Sequence, residues 1–153
     1  MMSKSRGISL LETLLALAIG AAIILAAVRY FSITHRNLNV THAIQQIQSL
    51  DKASYEWLAA QKQENFSDTD GGKKVSMQAL TDAGLVENKD AATKDPWGKD
   101  ITIAPGSDPK NVKITLPNVP AKSCKNISRR LENISKSKKP SCNSNRNDYT
   151  GEF

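Results

Sequence analysis

Apolar and polar residues are distributed very differently along the two parts of this chain. Residues 8–28, ISLLETLLALAIGAAIILAAV, contain one charged side chain, that of Glu12. A helix of about 21 residues is roughly 30 Å long, which is the thickness of the hydrocarbon core of a bilayer. The pattern therefore predicts a transmembrane helix, and the basic residues Lys4 and Arg6 before it place its N-terminus on the cytoplasmic side.

Three interpretations of this apolar segment compete. A cleaved secretory signal has an apolar core of about 7–15 residues followed by small residues, whereas this run is longer and bulky side chains follow it at residues 29–31. A plain membrane anchor fits the length but gives Glu12 no role, although a carboxylate costs about 2.5–3.5 kcal/mol at the centre of a bilayer. The third interpretation is a processing junction, in which a short basic leader ends at Gly7 and the mature chain begins at Ile8.

At these residues the chain resembles the type IV pilin family, which includes major and minor pilins and the pseudopilins of type II secretion. The family's processing motif is a glycine, a cleavage point, a hydrophobic first residue and a glutamate as the fifth residue; Gly7, Ile8 and Glu12 match it. The resemblance implies a leader peptide of residues 1–7, cleavage between Gly7 and Ile8, and N-methylation of Ile8. In a filament, Glu12 would then neutralise the new amino group of a neighbouring subunit, because two buried opposite charges are tolerable where one is not.

The resemblance also implies partners and a location. The partners are further copies of the chain in a helical homo-oligomer, prepilin peptidase, and a pilus assembly platform with its ATPase. The subunit would be stored in the inner membrane and then become part of an extracellular filament used for attachment, DNA transfer or related roles. Two alternatives stay open: a minor pilin or pseudopilin that primes a filament or pushes cargo, and an uncleaved membrane-anchored periplasmic binding protein.

The helical pattern continues beyond the apolar segment, through residues 29–63. Apolar residues recur there at steps of three and four, which predicts one buried stripe on an amphipathic helix. The stripe consists of Val40, Ala43, Ile44, Ile47, Leu50, Ala53, Trp57 and Leu58. Many pilins have a proline in the middle of this helix, whereas here Gly20 is the one candidate for a weak point.

Residues 64–153 are predicted to form a small α+β head on this helix. The overall expectation is a pilin fold, with the long N-terminal helix packed on a small antiparallel sheet and followed by a C-terminal helix and a disulfide-closed region. The expected elements of the head are a helix at 76–83 capped by Ser76, a turn at 95–98, a hairpin of strands 100–104 and 112–116, a helix at 122–134 capped by Ser123, and an edge strand that contains Tyr149 and Phe153.

Cys124 and Cys142 are the only cysteines in the chain. An exported head lies in an oxidising compartment, no further metal ligands cluster beside them, and they form no CxxC motif, so a disulfide between them is predicted. A second helix that begins near the first cysteine, together with Ile8 and the absence of a mid-helix proline, resembles the type IVb pilins. The seven-residue leader, 1–7, is shorter than is usual in that subclass.

The charge pattern adds one open question. The formal charge is +6, and the C-terminal third is basic. Without interleaved aromatic residues we favour a solvated face, or one that contacts a neighbouring subunit, over binding of nucleic acid. The sequence predicts no enzyme, cofactor or metal: His35 and His42 lack further ligands, and residues 68–71 lack the rest of a calcium loop.

Overall fold

The structure is a computed structural model, which describes residues 9–67, 73–87, 89–136, 140–143 and 147–153. Its elements are α1 (Leu10–Gln61), α2 (Met77–Asp82), α3 (Asp90–Thr93), β1 (Thr102–Pro105), β2 (Val112–Leu116), α4 (Ala121–Leu131), β3 (Ser141–Asn143) and β4 (Asp148–Glu152). The chain forms two compact units, Met1–Arg36 and Asn37–Phe153. Helix α1 contributes to both, and each unit is described by itself.

Helix α1 is 52 residues long and continuous. Gly20 lies inside it and the helix is not unwound there, so the prediction of one unbroken helix is confirmed. No proline occurs between residues 10 and 61, and the straight-chain and alanine residues of the segment favour helix. We call residues 10–28 the apolar half of α1 and residues 37–61 its amphipathic half.

The amphipathic half of α1 supplies one side of the core of the second unit. The predicted stripe is confirmed: Val40, Ala43, Ile47, Leu50, Ala53 and Trp57 are buried, and Ile44 and Leu58 pack against the same core. Ser54 is also buried, and its hydroxyl donates to the Leu50 carbonyl at 2.7 Å. Burial of this one stripe, rather than helix propensity alone, holds the amphipathic half in place.

The sheet is antiparallel and has the strand order β1-β2-β4-β3. The predicted hairpin is confirmed, with Ile103 opposite Ile114. The prediction of a terminal edge strand was wrong, because β4 pairs with β2 on one side and β3 on the other. Strand β3, which was not predicted, is the edge on that side.

The inner face of the sheet is closed by aromatic residues at the C-terminal end of the chain. Tyr149 and Phe153 are buried, and Gly151 lies between them in sequence and points to the same face. A Cβ added to Gly151 would lie 2.7 Å from the Tyr149 hydroxyl and 2.8 Å from the Phe153 ring. The glycine therefore leaves room for two aromatic rings to close over it.

The segment before the sheet follows its local signals. Ser76 caps α2 by accepting a hydrogen bond from the Ala79 amide at 3.1 Å, as predicted. Gly84 follows with a φ of +70°, a left-handed conformation that terminates helices at low cost only for glycine. Helix α3 was not predicted, and it is only 4 residues long.

Helix α4 begins one residue earlier than predicted. Pro120 occupies the N-cap position without a side-chain cap, and Ser123 lies inside the helix with its hydroxyl buried and without a partner, so the prediction that Ser123 is the cap was wrong. Cys124, Ile127 and Leu131 form its buried stripe. The predicted disulfide is confirmed: Cys124 and Cys142 are bonded, which joins α4 to β3.

Candidate functional site

The processing junction is only partly within the described residues. Gly7 and Ile8 lie outside them, so the structure begins with Ser9 and Glu12. The Ser9 amide donates to the Glu12 carboxylate at 3.1 Å, and the Glu12 amide donates to the Ser9 hydroxyl at 3.3 Å. This reciprocal pair is a capping box at the start of α1, and the Glu12 amide also donates to the Ser9 carbonyl at 2.9 Å. Glu12 therefore has a local structural role as well as its predicted role in assembly.

The apolar half of α1 exposes its large side chains on every side. Successive residues of an α-helix are about 100° apart, so these positions cover the whole circumference. Their exposed fractions range from 53% to 79%. The residues are Leu10, Leu11, Leu14, Leu15, Leu17, Ile19, Ile23, Ile24, Leu25 and Val28.

Such a surface requires an apolar environment. A helix that is hydrophobic on all sides is normally buried in a protein core or a membrane, and large exposed apolar areas mark sites of membrane or protein contact. By length and composition α1 is able to cross a membrane, a property that membrane anchors and signal sequences share. The apolar half is therefore the strongest candidate for a functional surface in the described chain.

The two histidines of α1 lie in different surroundings. His35 packs edge-on against Phe31, with 4.3 Å between ring centroids. His42 lines a groove of about 330 Å³ between α1 and residues 85–87, 91 and 92. Among the described residues, no three His, Cys, Asp or Glu side chains are close enough to hold a metal ion. Residues 68–71, to which the calcium hypothesis applied, lie outside the described residues.

The groove beside His42 is bridged by a glutamine. The Gln46 amide nitrogen donates to the carbonyls of Ala91 at 2.9 Å and Lys94 at 2.8 Å. It thereby ties the carbonyl end of α3 to α1. The side-chain oxygen of Gln46 is buried without a partner. These contacts explain why the segment after α2 lies on the amphipathic half.

Tyr55 connects α1 with three distant segments. Its hydroxyl donates to the carbonyls of Lys110 and Phe153, both at 3.3 Å, and accepts from the Lys136 ammonium at 2.9 Å. The hydrogen bond between the Lys136 ammonium and the Tyr55 hydroxyl raises the pKa of Lys136. One turn earlier, burial raises the pKa of Asp51, and the charge of Lys136 partly opposes that rise. The arrangement is a structural junction, because the contacting groups close the core.

The turn at residues 95–98 is organised by a buried carboxylate. One oxygen of Asp95 accepts from the amides of Trp97 and Lys99, each at 2.9 Å, and the other oxygen is buried without a partner. Burial raises the pKa of Asp95, while the backbone hydrogen bonds lower it by less. Trp97 packs at the margin of the core. The carboxylate therefore organises the backbone of the turn.

Helix α4 presents a second candidate surface. Lys122, Lys125, Arg129 and Arg130 are exposed, and we call these four residues the basic face of α4. The three ion pairs among the described residues are Lys52–Glu56, Lys89–Glu87 and Lys94–Asp90. None of them includes a residue of the basic face, so its charge is available to an external partner.

Some of these features have a sequence signal and others have none. Ser9 and Glu12 have the Ser-x-x-Glu spacing of a capping box immediately before an apolar helix, so the pattern contained that contact and we did not predict it. The bonds of Tyr55 to Lys110 and Lys136 join residues far apart in sequence. No local pattern indicates them.

Comparison with known proteins does not assign the chain to a family. No family model matches it, and no curated protein is detectably similar to it. The described features are those of an α+β protein with one long N-terminal helix, apolar in its first half, packed in its second half on a small antiparallel sheet.

Proposed function

We propose that this chain is a filament subunit of the type IV pilin class, stored in the inner membrane and polymerised through the apolar half of α1. The observation that carries the proposal is the exposure of large apolar side chains on every side of that half. The same helix continues as the buried support of an α+β head. A helix that must be surrounded by apolar groups is suited first to lipid and then to copies of itself.

The charge of Glu12 supports a filament subunit over a simple anchor. It is the one charged residue in the segment 8–28. Cleavage after Gly7 would create a cationic amino group at Ile8, and the carboxylate of a neighbouring subunit would neutralise it inside the filament. Removing one partner of a buried ion pair costs about 3–5 kcal/mol, which is more than the roughly 1 kcal/mol of a lost helix cap.

The remaining parts of the proposal follow from the resemblance to pilins. Prepilin peptidase would cleave between Gly7 and Ile8 and the new terminus would be N-methylated. An assembly platform with its ATPase would then extract the subunit from the membrane, where its N-terminus is cytoplasmic, into an extracellular filament for attachment, DNA transfer or related roles.

Two substitutions separate the charge of Glu12 from its capping bond. Glu12→Gln keeps a side-chain oxygen that accepts from the Ser9 amide but removes the charge, whereas Glu12→Ala removes both. We expect both variants to insert and to be cleaved normally, and both to lose most of the filaments recovered by shearing. Glu56→Gln, which removes an exposed acid from the same helix, is the matched control and should assemble normally. Normal filaments from Glu12→Gln would contradict the charge-pair account.

The capping box favours one second candidate. It gives Glu12 a role in an uncleaved helix, so a membrane-anchored periplasmic binding protein also accounts for Ser9 and Glu12. Mass spectrometry of the N-terminal peptide distinguishes the two proposals. A filament subunit yields a methylated Ile8 terminus in a strain competent for pilus assembly, whereas an uncleaved anchor still has Gly7 and the leader residues before it joined to Ile8. Abundance in sheared filaments then separates a shaft subunit from a minor pilin or pseudopilin.

A further inference from the structure

The residues that follow the apolar half of α1 combine exposed apolar side chains with cations. We call residues 29–36, RYFSITHR, the boundary segment of α1; it lies in the first compact unit. Tyr30 is 74% exposed and Phe31 is 65% exposed. An exposed cation stands at each end of the segment, Arg29 and Arg36. Such a surface suits neither the hydrocarbon of a bilayer nor bulk water alone.

The position of the boundary segment along α1 corresponds to the edge of a bilayer. The apolar run that ends at Val28 is long enough to span a hydrocarbon core of about 30 Å, and the interfacial regions add about 10–15 Å in total. At roughly 1.5 Å per residue, Arg29 falls where the hydrocarbon ends and Arg36 falls about 10 Å beyond it. In the proposed orientation this edge is the outer leaflet of the inner membrane, so the inference rests on the proposed function.

The two arginines are placed to reach the same layer of headgroups. Arg29 and Arg36 are seven residues apart in one helix, so they lie within about 20° of one another around its axis. The Cα–Cβ bonds of an α-helix tilt towards its N-terminus, and the lipid lies on that side of Arg36. A long basic side chain keeps its charged head in the polar layer while its stem covers apolar surface. The two guanidinium groups therefore form one cationic strip at the level of the lipid phosphates.

The helix supplies no acid that could neutralise this strip. Residues 13–50 contain no aspartate or glutamate, whereas an ion pair within a helix needs an acid three or four residues away. The three ion pairs among the described residues include neither Arg29 nor Arg36. Guanidinium groups bind phosphate through paired N–H donors, so an anionic phosphate complements the strip in both charge and geometry.

The side chains between the arginines favour a lipid over a free anion. Tyrosine is enriched at membrane interfaces, where its ring contacts acyl chains and its hydroxyl contacts headgroups, and Tyr30 directly follows the apolar run. Phe31 and Ile33 are exposed on the same turns of the helix and provide apolar area of the kind that membrane-surface helices bury. A free phosphate would contact the cations alone and would leave this apolar area in water.

The distribution of charge across the bilayer makes neutralisation by lipid more important. Basic residues are enriched on the cytoplasmic side of membrane helices, and the leader residues Lys4 and Arg6 would be removed by the proposed cleavage. The mature chain would then keep Arg29 and Arg36 on the opposite side, which is unfavourable for its orientation. An anionic lipid in the outer leaflet offsets that effect by neutralising the two arginines.

We propose that Arg29 and Arg36 bind the phosphate groups of anionic phospholipids in the outer leaflet, in preference to zwitterionic lipids. A zwitterionic headgroup also has a phosphate, but its own ammonium group already balances that charge. The bound anionic lipid fixes the depth at which the subunit is stored in the membrane. Polymerisation then has to remove the lipid before the boundary segment contacts other copies.

The test is native mass spectrometry of the full chain in a non-ionic detergent, with equal amounts of phosphatidylglycerol and phosphatidylcholine that have the same acyl chains. Wild type should retain phosphatidylglycerol preferentially. Arg29→Gln/Arg36→Gln should reduce that preference by at least about tenfold, since each basic residue at an anionic surface contributes about fivefold. The matched control, Lys122→Gln/Lys125→Gln, removes the same charge from exposed positions of α4 and should keep the preference, as should Arg29→Lys/Arg36→Lys.

Four outcomes would overturn the proposal. Equal losses in the two glutamine variants would show that net charge alone attracts the lipid. Displacement of the lipid by excess inorganic phosphate would show a plain anion site. If the arginine substitutions lowered the number of chains in each particle and left lipid retention unchanged, the strip would bind a second copy instead. Retention of both lipids without preference would contradict this proposal and leave membrane storage intact, whereas retention of neither lipid would contradict both.

Discussion

The two halves of α1 use the same backbone conformation for opposite purposes. In the apolar half, Ile23 is 63% exposed and its large apolar neighbours are exposed on every side of the helix. In the amphipathic half, Ile47 is fully buried and the apolar residues form one stripe. Both segments are helical and rich in aliphatic side chains, yet only the second is stabilised by contacts within its own chain.

The difference shows where each half obtains its stabilisation. The amphipathic half belongs to the core of residues 37–153, so its substitutions should change the free energy of unfolding of that unit. No residue of the apolar half is buried, and under the proposed function this half packs against lipid or other copies, so its substitutions should change insertion or assembly instead. Both tryptophans, Trp57 and Trp97, lie in the second unit; their fluorescence therefore follows that unit alone.

The largest expected contrast is between Ile47→Ala and Ile23→Ala. Ile47→Ala leaves a cavity in the core and should lower the free energy of unfolding by about 2–5 kcal/mol. Ile23→Ala removes an exposed side chain and should leave that quantity unchanged. Denaturant unfolding of the full chain in non-ionic detergent, followed by tryptophan fluorescence, measures both. Equal losses in the two variants would contradict the division of α1 into two halves.

Removing the disulfide should come next in size. Cys124 and Cys142 are separated by 18 residues, and replacing both with alanine should lower the free energy of unfolding by about 3 kcal/mol. The same fluorescence assay applies, with and without reductant. Reductant should destabilise wild type and have no effect on the double variant; a wild type insensitive to reductant would show that the bond does not support the second unit.

A pair of glycines gives a smaller contrast between the same two regions. Gly151→Ala places a methyl group against the Tyr149 hydroxyl and the Phe153 ring and should cost about 1–3 kcal/mol through overpacking. Around Gly20 nothing lies within 4 Å of an added Cβ, so Gly20→Ala should not affect unfolding of the second unit and should favour helix. If Gly151→Ala left the free energy of unfolding unchanged, the close packing of the Tyr149 and Phe153 rings over Gly151 would be contradicted.

The smallest expected effect is on pH dependence. Because burial raises the pKa of Asp95 above its ordinary 3.8, the folded state binds a proton there more tightly than the unfolded state does. Stability from this group is therefore lost as pH rises from 3.8 through the raised pKa. Asp95→Asn keeps an acceptor for the Trp97 and Lys99 amides, so the stability of the variant relative to wild type should rise over that range and then level off. Unfolding measured across pH checks this, and a difference that does not vary with pH would contradict it.

Sequence patterns predicted the elements whose determinants are local. The stripe around Ile47, the alternation in β2 and the cap at Ser76 each depend on neighbours a few residues away, and all three are confirmed. The cysteine pairing was predictable because only two cysteines exist. The position of β4 in the sheet was not predictable from sequence. Its pairing of Tyr149 with Leu116 joins residues far apart in the chain, and a local alternation of apolar and polar residues does not specify such a pairing.

The start of α4 and the residues of the candidate sites show a further limit of prediction from sequence. Ser123 has a good capping side chain, but Pro120 and the burial of Cys124 fix the start of the helix two residues before it. The processing motif of Gly7, Ile8 and Glu12 is a pattern that an enzyme would read. The sequence alone is therefore enough to recognise this motif. The basic face of α4, in contrast, could be defined only from the structure, which shows which of its cations are exposed.

Tyr55 has a consequence for how the head reaches its native state. Its hydroxyl contacts residues 55, 81 and 98 positions further along the chain. Contacts of such long sequence separation close large loops and slow the folding reaction. The bonds of Tyr55 therefore form only once Lys110, Lys136 and Phe153 have all reached the helix. An arrested chain would leave the stripe from Val40 to Trp57 uncovered, and that surface is the one a quality-control chaperone would bind.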